Sequence, residues 1–313
     1  MAARCLWDEE SAEAGQLIGR VGASNTQGLI TIEMKHILTF FLLTAFVFAQ
    51  SAPTDSSEGA APAPGASSPG TPSQAIPTDQ DSVRKARAIL DQAIQALGGQ
   101  AYLNAQDMTQ EGRSYSFHHG EPNSLGTLFW RFRKFPDKDR IEVTKKRDVI
   151  EIYSGDKGYE VTYKGVRDLD DKEMDPILRR RHFALDVVLR QWLNEPGVAL
   201  FYEGQTVAAQ KETEQVTVMN AKNEGVTLYF DLNTHLPVKK SFTWRDPVDK
   251  QRNVEEEIYD NYRMAKNVMT PYDTTRFFNG EMAAQYFLTN AGFNQGLSDA
   301  LFDPKAATSA GKH

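Results

Sequence analysis

The chain has 313 residues, of which 40% are hydrophobic and 25% charged, proportions that suit one large or two modest globular domains. A mean hydropathy of -0.50 excludes a polytopic membrane protein, and a formal charge of -7 argues against a nucleic-acid binder, because polyphosphate attracts a basic face. Cys5 is the only cysteine, so no intrachain disulfide and no thiolate metal centre is expected.

Residues 1–33 carry no clear pattern. Met34-Lys35-His36 then forms a basic start before an apolar run from Ile37 to Ala49, with Val47 and Ala49 in the small-residue places that precede cleavage. The run is shorter than the roughly 20 residues needed to span a bilayer. Residues 34–49 therefore read as a signal peptide cleaved after about Ala49, which predicts a periplasmic protein and makes residues 1–33 an extension upstream of the true start. No cysteine follows the run, so no lipid anchor is expected. Residues 50–80 are Ala, Pro, Ser, Gly and Thr with hardly an aliphatic side chain, a composition that cannot bury enough apolar area to offset its ordering entropy. They read as a disordered linker. The folded domain is expected over 81–305, with a flexible tail over 306–313.

The first predicted element is a helix from Ser82 to Leu97. Val83, Ala86, Ile89, Leu90, Ala93 and Leu97 recur at helical spacing, Asp81 or Ser82 is placed to cap it, and Gly98-Gly99 to stop it. Strands follow. Leu128, Trp130 and Phe132 alternate with Phe129, Arg131 and Arg133, and Ile141 and Val143 with charged neighbours. Ile150 and Ile152 precede a turn at Gly155-Asp156-Lys157-Gly158, and Tyr159, Val161 and Tyr163 follow it. Between Leu169 and Asn194 the period changes. Asp175-Pro176 is read as a helix start, and Leu178, Phe183, Leu185, Val188, Leu189, Trp192 and Leu193 form an apolar stripe with a kink near His182. Val226, Leu228, Phe230 and Leu232 return to alternation, and Asn279-Gly280 is a strong hairpin signal. Alternation with one dry face favours antiparallel meanders over a parallel sheet. The expected fold is mainly β (α+β): a strongly curved antiparallel sheet forming an unclosed barrel, with an N-terminal helix and an inserted helical lid.

This layout resembles the outer-membrane lipoprotein-sorting family (LolA/LolB-like). The particular matches are Phe230-Asp231-Leu232-Asn233-Thr234-His235-Leu236-Pro237-Val238, Tyr259-Asp260-Asn261-Tyr262 with Val268-Met269-Thr270-Pro271, and the closing segment from Asn294 to Leu301-Phe302. The resemblance implies an unclosed β-barrel with helices as a lid over an apolar cavity. It also implies a carrier or binder of a lipidated protein or lipid, working without cofactor and without chemistry. Its partner would be an acyl chain, envelope proteins would be further candidates, and membrane contact would be transient. On that reading the cavity and lid are expected to use Leu128, Trp130, Phe132, Ile141, Val143, Ile150, Ile152, Val161, Phe183, Leu189, Trp192, Leu228 and Phe230. The same residues would equally fill an ordinary core. A ligand-free interaction module of the envelope is the alternative, and a hydrolase with dispersed residues ranks below it.

No nucleophile elbow, zinc-protease helix, phosphate loop or dinucleotide fingerprint is found. No catalytic and no metal-binding residue is therefore assigned. His118-His119 with Glu121 would chelate one ion poorly, because adjacent strand residues point to opposite faces. Arg179-Arg180-Arg181 before His182 suits an anionic headgroup, but a solvated helix face is the preferred reading. Glu255-Glu256-Glu257 is read as a wet strand or turn. Tyr115, Tyr159, Tyr163, Tyr229 and Tyr262 suit either a pocket rim or any sheet surface.

Overall fold

The first helix, α1, runs from Asp79 to Leu97 and turns Ala86, Ile89, Leu90, Ala93, Ile94 and Leu97 inward. The computed structural model describes residues 79–309. The expected signal peptide and nearly all of the linker lie outside them. Neither expected cap stands at the start of α1. Asp81 pairs with Arg84 one turn on. Ser82 lies inside the helix, where its Oγ accepts from the Tyr202 N–H at 3.0 Å and donates to the Tyr202 carbonyl at 3.4 Å. That contact occupies backbone groups on a strand at the end of the sheet, which would otherwise be open to pairing. Gly98 ends α1 with φ of 126°, and a Cβ there would lie 2.2 Å from the Asn267 carbonyl oxygen, so the close approach requires glycine. A single turn, α2 (Gln100–Leu103), follows.

The strands are β1 (Asp107–His118), β2 (Glu121–Pro122), β3 (Thr127–Lys134), β4 (Lys138–Val143), β5 (Val149–Ser154), β6 (Lys157–Thr162) and β7 (Gly165–Asp168). Then come α3 (Asp171–His182), α4 (Leu185–Arg190) and a 3-10 turn, Trp192–Asn194. The remaining strands are β8 (Ala199–Ala208), β9 (Lys211–Met219), β10 (Gly225–Asp231), β11 (Pro237–Arg245), β12 (Arg252–Ala265), β13 (Val268–Phe278) and β14 (Glu281–Phe293). All fourteen form one antiparallel sheet in the order β7-β6-β5-β4-β3-β1-β14-β13-β12-β11-β10-β9-β8, with β2 paired to β1. The end strands β7 and β8 do not pair with each other, so the sheet is not closed into a barrel. Two meanders flank one long-range join, β1 with β14. The β13–β14 turn is Asn279-Gly280, with φ of 50° and 85°, the left-handed pair that matches hairpin twist.

Helix α3 begins earlier than its proline suggests. Asp170 accepts from the Glu173 N–H, while Glu173 reaches back to the Asp170 N–H, a complete capping box. Pro176 therefore sits in the second turn. The helix breaks after His182, as the kink implied, and α4 continues beyond it.

Helices α1–α4 lie on one face of the sheet. The opposite face of β3–β6 is covered by the chain after β14: Phe132, Ile150, Ile152 and Val161 pack with Leu297, Leu301, Phe302 and Ala307. Asp107, buried, anchors that segment by accepting from the N–H groups of Gln295, Gly296 and Leu297 at 2.6, 2.8 and 3.1 Å. The last helix, α5 (Pro304–Ser309), runs past the expected boundary at 305 with Ala307 buried.

Candidate functional site

Under the helices the sheet is half filled and half hollow. Along β8–β11 the inward side chains Leu200, Val216, Val218, Val226, Leu228, Phe230 and Phe242 meet α1, α4 and Trp192 in a continuous apolar core. Beside that core, β1, β3–β5 and β12–β14 face α2, α3 and α4 across a cavity of about 290 Å³. Tyr153 on β5 and Glu257 on β12 both line it, although six strand spacings of about 4.8 Å would hold them about 29 Å apart in a flat sheet. The sheet must bend around the cavity. Phe129, Ile141 and Leu288 supply apolar wall from the strands, and Ile177, Ala184 and Leu185 from the lid.

Eleven of the lining residues are charged. Arg131, Arg133, Lys138, Arg180, Arg181, Arg190 and Arg276 face it, against Asp137, Asp139, Asp186 and Glu257. Seven cations against four anions leave +3 inside a chain whose total is -7. Arg131 holds Asp139 with Nε and Nη2 at 3.0 and 2.5 Å, and Arg133 reaches Asp186 at 3.2 Å. Burial works against the Asp186 charge, but Arg133 outweighs it and holds the carboxyl below its ordinary range. Arg181 and Arg190 have no carboxylate at ion-pair distance among the described residues. Arg181 donates to the Gly155 carbonyl at 2.5 Å, and its burial lowers the guanidinium pKa. Arg190 donates to the Ala105 carbonyl at 2.6 Å and stacks over Phe135, 4.3 Å from the ring centre. Arg133 lies over the same ring at 4.9 Å.

Three of the five tyrosines that line the cavity differ in one respect. Tyr259 donates to Glu257 at 2.5 Å and Tyr262 to the Pro237 carbonyl at 2.8 Å. The Tyr102 hydroxyl is buried with no hydrogen-bond partner among the described residues. Burial, reinforced by Asp186, pushes its pKa up, so it stays a protonated donor.

Of the thirteen residues expected at the cavity and lid, Ile141 lines the hollow. Val143 lies beside it in the cluster under α3, with Phe129, Tyr153 and Met174. Strand β3 faces the other way from its expected orientation. Phe129, Arg131 and Arg133 point to the cavity, so Leu128, Trp130 and Phe132 point to the opposite face. Trp130 lies there 5.0 Å beneath the Arg147 guanidinium, and Phe132 joins Ile150, Ile152 and Val161 in the cluster behind the sheet. Phe183, Leu189, Trp192, Leu228 and Phe230 sit in the filled half, where Phe183 stacks on Phe242 with ring centres 4.3 Å apart.

The charged runs also fall differently from their expected places. Arg180 and Arg181 line the cavity and do not form a solvated face, while Arg179 lies 3.4 Å over Trp244 and donates to Glu255 at 3.2 Å. Glu255 is buried, and Glu257 pairs with buried Lys240 at 2.9 Å, so two of the three consecutive glutamates point inward from β12. Of the five strand tyrosines, Tyr262 lines the cavity and Tyr163 is exposed. His119 sits at the surface, 3.3 Å from Glu281. Among the described residues no three His, Cys, Asp or Glu side chains come together as metal ligands.

No family model and no curated protein matches the chain. A solved DUF1329 family protein from Desulfovibrio piger is similar at 14% identity over 71% of this chain and 98% of its own, with a TM-score of 0.50. The likeness is one of fold. Also similar, at 11% identity and over 70% of this chain, are a putative outer membrane lipoprotein-sorting protein domain from Vibrio parahaemolyticus and a LolA superfamily protein from Nitrosomonas europaea. They are covered over 98% and 97% of their lengths, with TM-scores of 0.46 and 0.45. The unclosed, mainly β fold expected from the sequence is the one the structure shows.

Proposed function

We propose that this protein is a non-catalytic periplasmic carrier or binder of a lipid or of the acyl chain of a lipidated protein. The observation that carries the reading is the cavity itself: a bent sheet roofed by α3 and α4, left hollow beside a half that is packed solid. An acyl chain gains about 0.8 kcal/mol for each methylene taken from water, so a continuous apolar wall is what holds one outside a membrane. At about 290 Å³ the hollow stands at the lower edge of ligand pockets, which run from about 300 to 1,000 Å³. That size suits one chain in the closed form, with the lid moving for anything larger.

The lid is held by apolar packing, Met174 and Ile177 from α3 and Val187, Val188 and Leu189 from α4, and by polar contacts. Arg133 with Asp186, Arg179 with Glu255, and His182 with Glu224 at 2.8 Å join α3 and α4 to the sheet. Such links are exchanged for water at little cost when a lid lifts, and the buried apolar side chains set the larger part of that cost. The export signal at Met34–Ala49 and the fold of the lipoprotein-sorting proteins support the periplasmic setting.

Titrating the purified chain with a fluorescent fatty acid tests the reading. Saturable uptake near one equivalent, displaced by unlabelled fatty acid, is expected. A folded protein that never takes up an acyl chain would overturn it, and periplasmic crosslinking to a protein in that case would favour the ligand-free module.

A further inference from the structure

The cavity has two chemically distinct ends. One is apolar: Phe129, Ile141 and Tyr153 meet Ile177, Tyr286 and Leu288 there. The other is built by α2, the end of β3 with the loop after it, and α4. It brings together Tyr102, Arg133, Phe135, Asp186 and Arg190. Phe135 and Tyr102 pack there with Ala105, Met108 and Phe293, a cluster separate from the one under α3.

At the second end no acceptor among the described residues reaches the Tyr102 hydroxyl. The Tyr102 hydroxyl is a buried donor with nothing to receive its proton, and such an atom forgoes its bond to water without replacement. The charges that bear on it are Asp186, Arg190 and Arg133. Asp186 is the only anion of the three; it is hydrogen-bonded to Arg133 and also lies in the field of Arg190, so two guanidiniums share one carboxylate. The guanidinium of Arg190 is held by a backbone carbonyl and by the face of Phe135. Those partners fix its plane without cancelling its charge. The +3 excess belongs to the cavity lining as a whole. An acid group would supply what is missing: an acceptor for Tyr102 and a counter-charge for Arg190, with the guanidinium fork suited to two oxygens.

The geometry points to an anionic amphiphile as the ligand class, its phosphate or carboxylate head seated on Tyr102, Arg190 and Arg133 and its chain running along Phe129, Ile141, Ile177 and Leu288. This inference rests on the carrier reading and adds the chemistry of the head group. A cationic head would add to the positive excess, and a neutral head, even where its oxygens accept from Tyr102, would bring no counter-charge.

The test uses the full chain and four single-chain probes of equal length below their micelle concentrations: dodecyl phosphate, dodecanoate, dodecanoylglycerol and dodecyltrimethylammonium. Inorganic phosphate is a fifth arm. Calorimetric titration is expected to rank both anionic amphiphiles at least about tenfold tighter than the neutral one, with the cation weakest, since a hydrogen bond to a charged group contributes about 1.5–3 kcal/mol, or about ten- to a hundredfold. Tyr102→Phe keeps the ring and removes the donor. It should weaken dodecyl phosphate about tenfold and dodecanoylglycerol distinctly less, with an unaltered circular dichroism spectrum; Arg190→Gln should act in the same direction. Equal affinity for all four heads would overturn the head-group assignment while leaving the carrier reading intact. Inorganic phosphate binding as tightly as dodecyl phosphate would overturn it as well, by showing a free-anion site. Failure of all four amphiphiles would remove the carrier reading beneath it.

Discussion

Helix α4 separates two regions that share one face of one sheet. Its Val187, Val188 and Leu189 enter the core over β8–β11, whereas Leu185, Asp186 and Arg190 border the cavity over β1, β3–β5 and β12–β14. On the core side, strands and helices offer aliphatic and aromatic groups that interdigitate. On the cavity side, long side chains ending in guanidinium and carboxylate groups line the space. Charged tips are not packed together as methyl groups are, because each needs a hydrogen-bonding partner of its own. Placing them under a lid prevents the two walls from collapsing onto each other. The hollow thus follows from the choice of side chains within a fold common to both halves.

The largest effect that would sharpen this contrast is in the filled half. Trp192→Ala should cost about 3–5 kcal/mol in denaturant unfolding, because it removes one of the largest fully buried side chains. Ile177→Ala, at the cavity wall, should cost less than about 2 kcal/mol, since that side chain already borders empty space. Equal costs would break the comparison.

Next in size, Asp186→Ala should cost about 2–3 kcal/mol by leaving the mostly buried Arg133 without its lid partner. The same carboxylate sets a pH dependence. Its folded pKa lies below the ordinary value of 3.8, so its contribution is complete above that value and is lost as the pH falls through the lower folded one. Unfolding measured at neutral pH and again near pH 3 should show a smaller drop for Asp186→Asn than for the parent chain. Identical drops would mean that the pair does not hold the lid.

Gly98→Ala should destabilise by about 1–3 kcal/mol, because its positive φ and the nearby Asn267 carbonyl leave no place for a methyl group. The smallest effect has the opposite sign. Without ligand, Tyr102→Phe should leave the melting temperature unchanged or raise it, by up to about 1 kcal/mol of stability, since an unpartnered buried hydroxyl is removed. A clear loss would show that the hydroxyl is bonded in solution.

The regions differ also in how far they can be read from residues alone. The spacing in α1 and the alternation in β10 are unambiguous because polar residues mark their outer faces, and Asn279-Gly280 specifies its turn chemically. Strand β3 has apolar residues on both faces, since the segment after β14 covers its back. With arginines at 131 and 133, the cavity side looked like the solvent side. The arginines at 180 and 181 were visible as a charge run, but their direction depends on how α3 lies on the sheet. Nothing local marks Tyr102 or Arg190. An unpartnered hydroxyl and a guanidinium without an ion pair are properties of tertiary contact, and only the packing around α2 and α4 reveals them.

The central claim, that the hollow half holds an acyl chain while the filled half is only core, is tested most directly by photolabelling. A fatty acid with a diazirine in its chain is irradiated with the full chain, and the labelled peptides are sequenced by mass spectrometry. Labels that are displaced by unlabelled fatty acid and fall between Leu97 and Ile141, and between Ile177 and Arg190, are predicted. Displaceable labels confined to Val216–Phe230, or no displaceable label at all, would contradict the account.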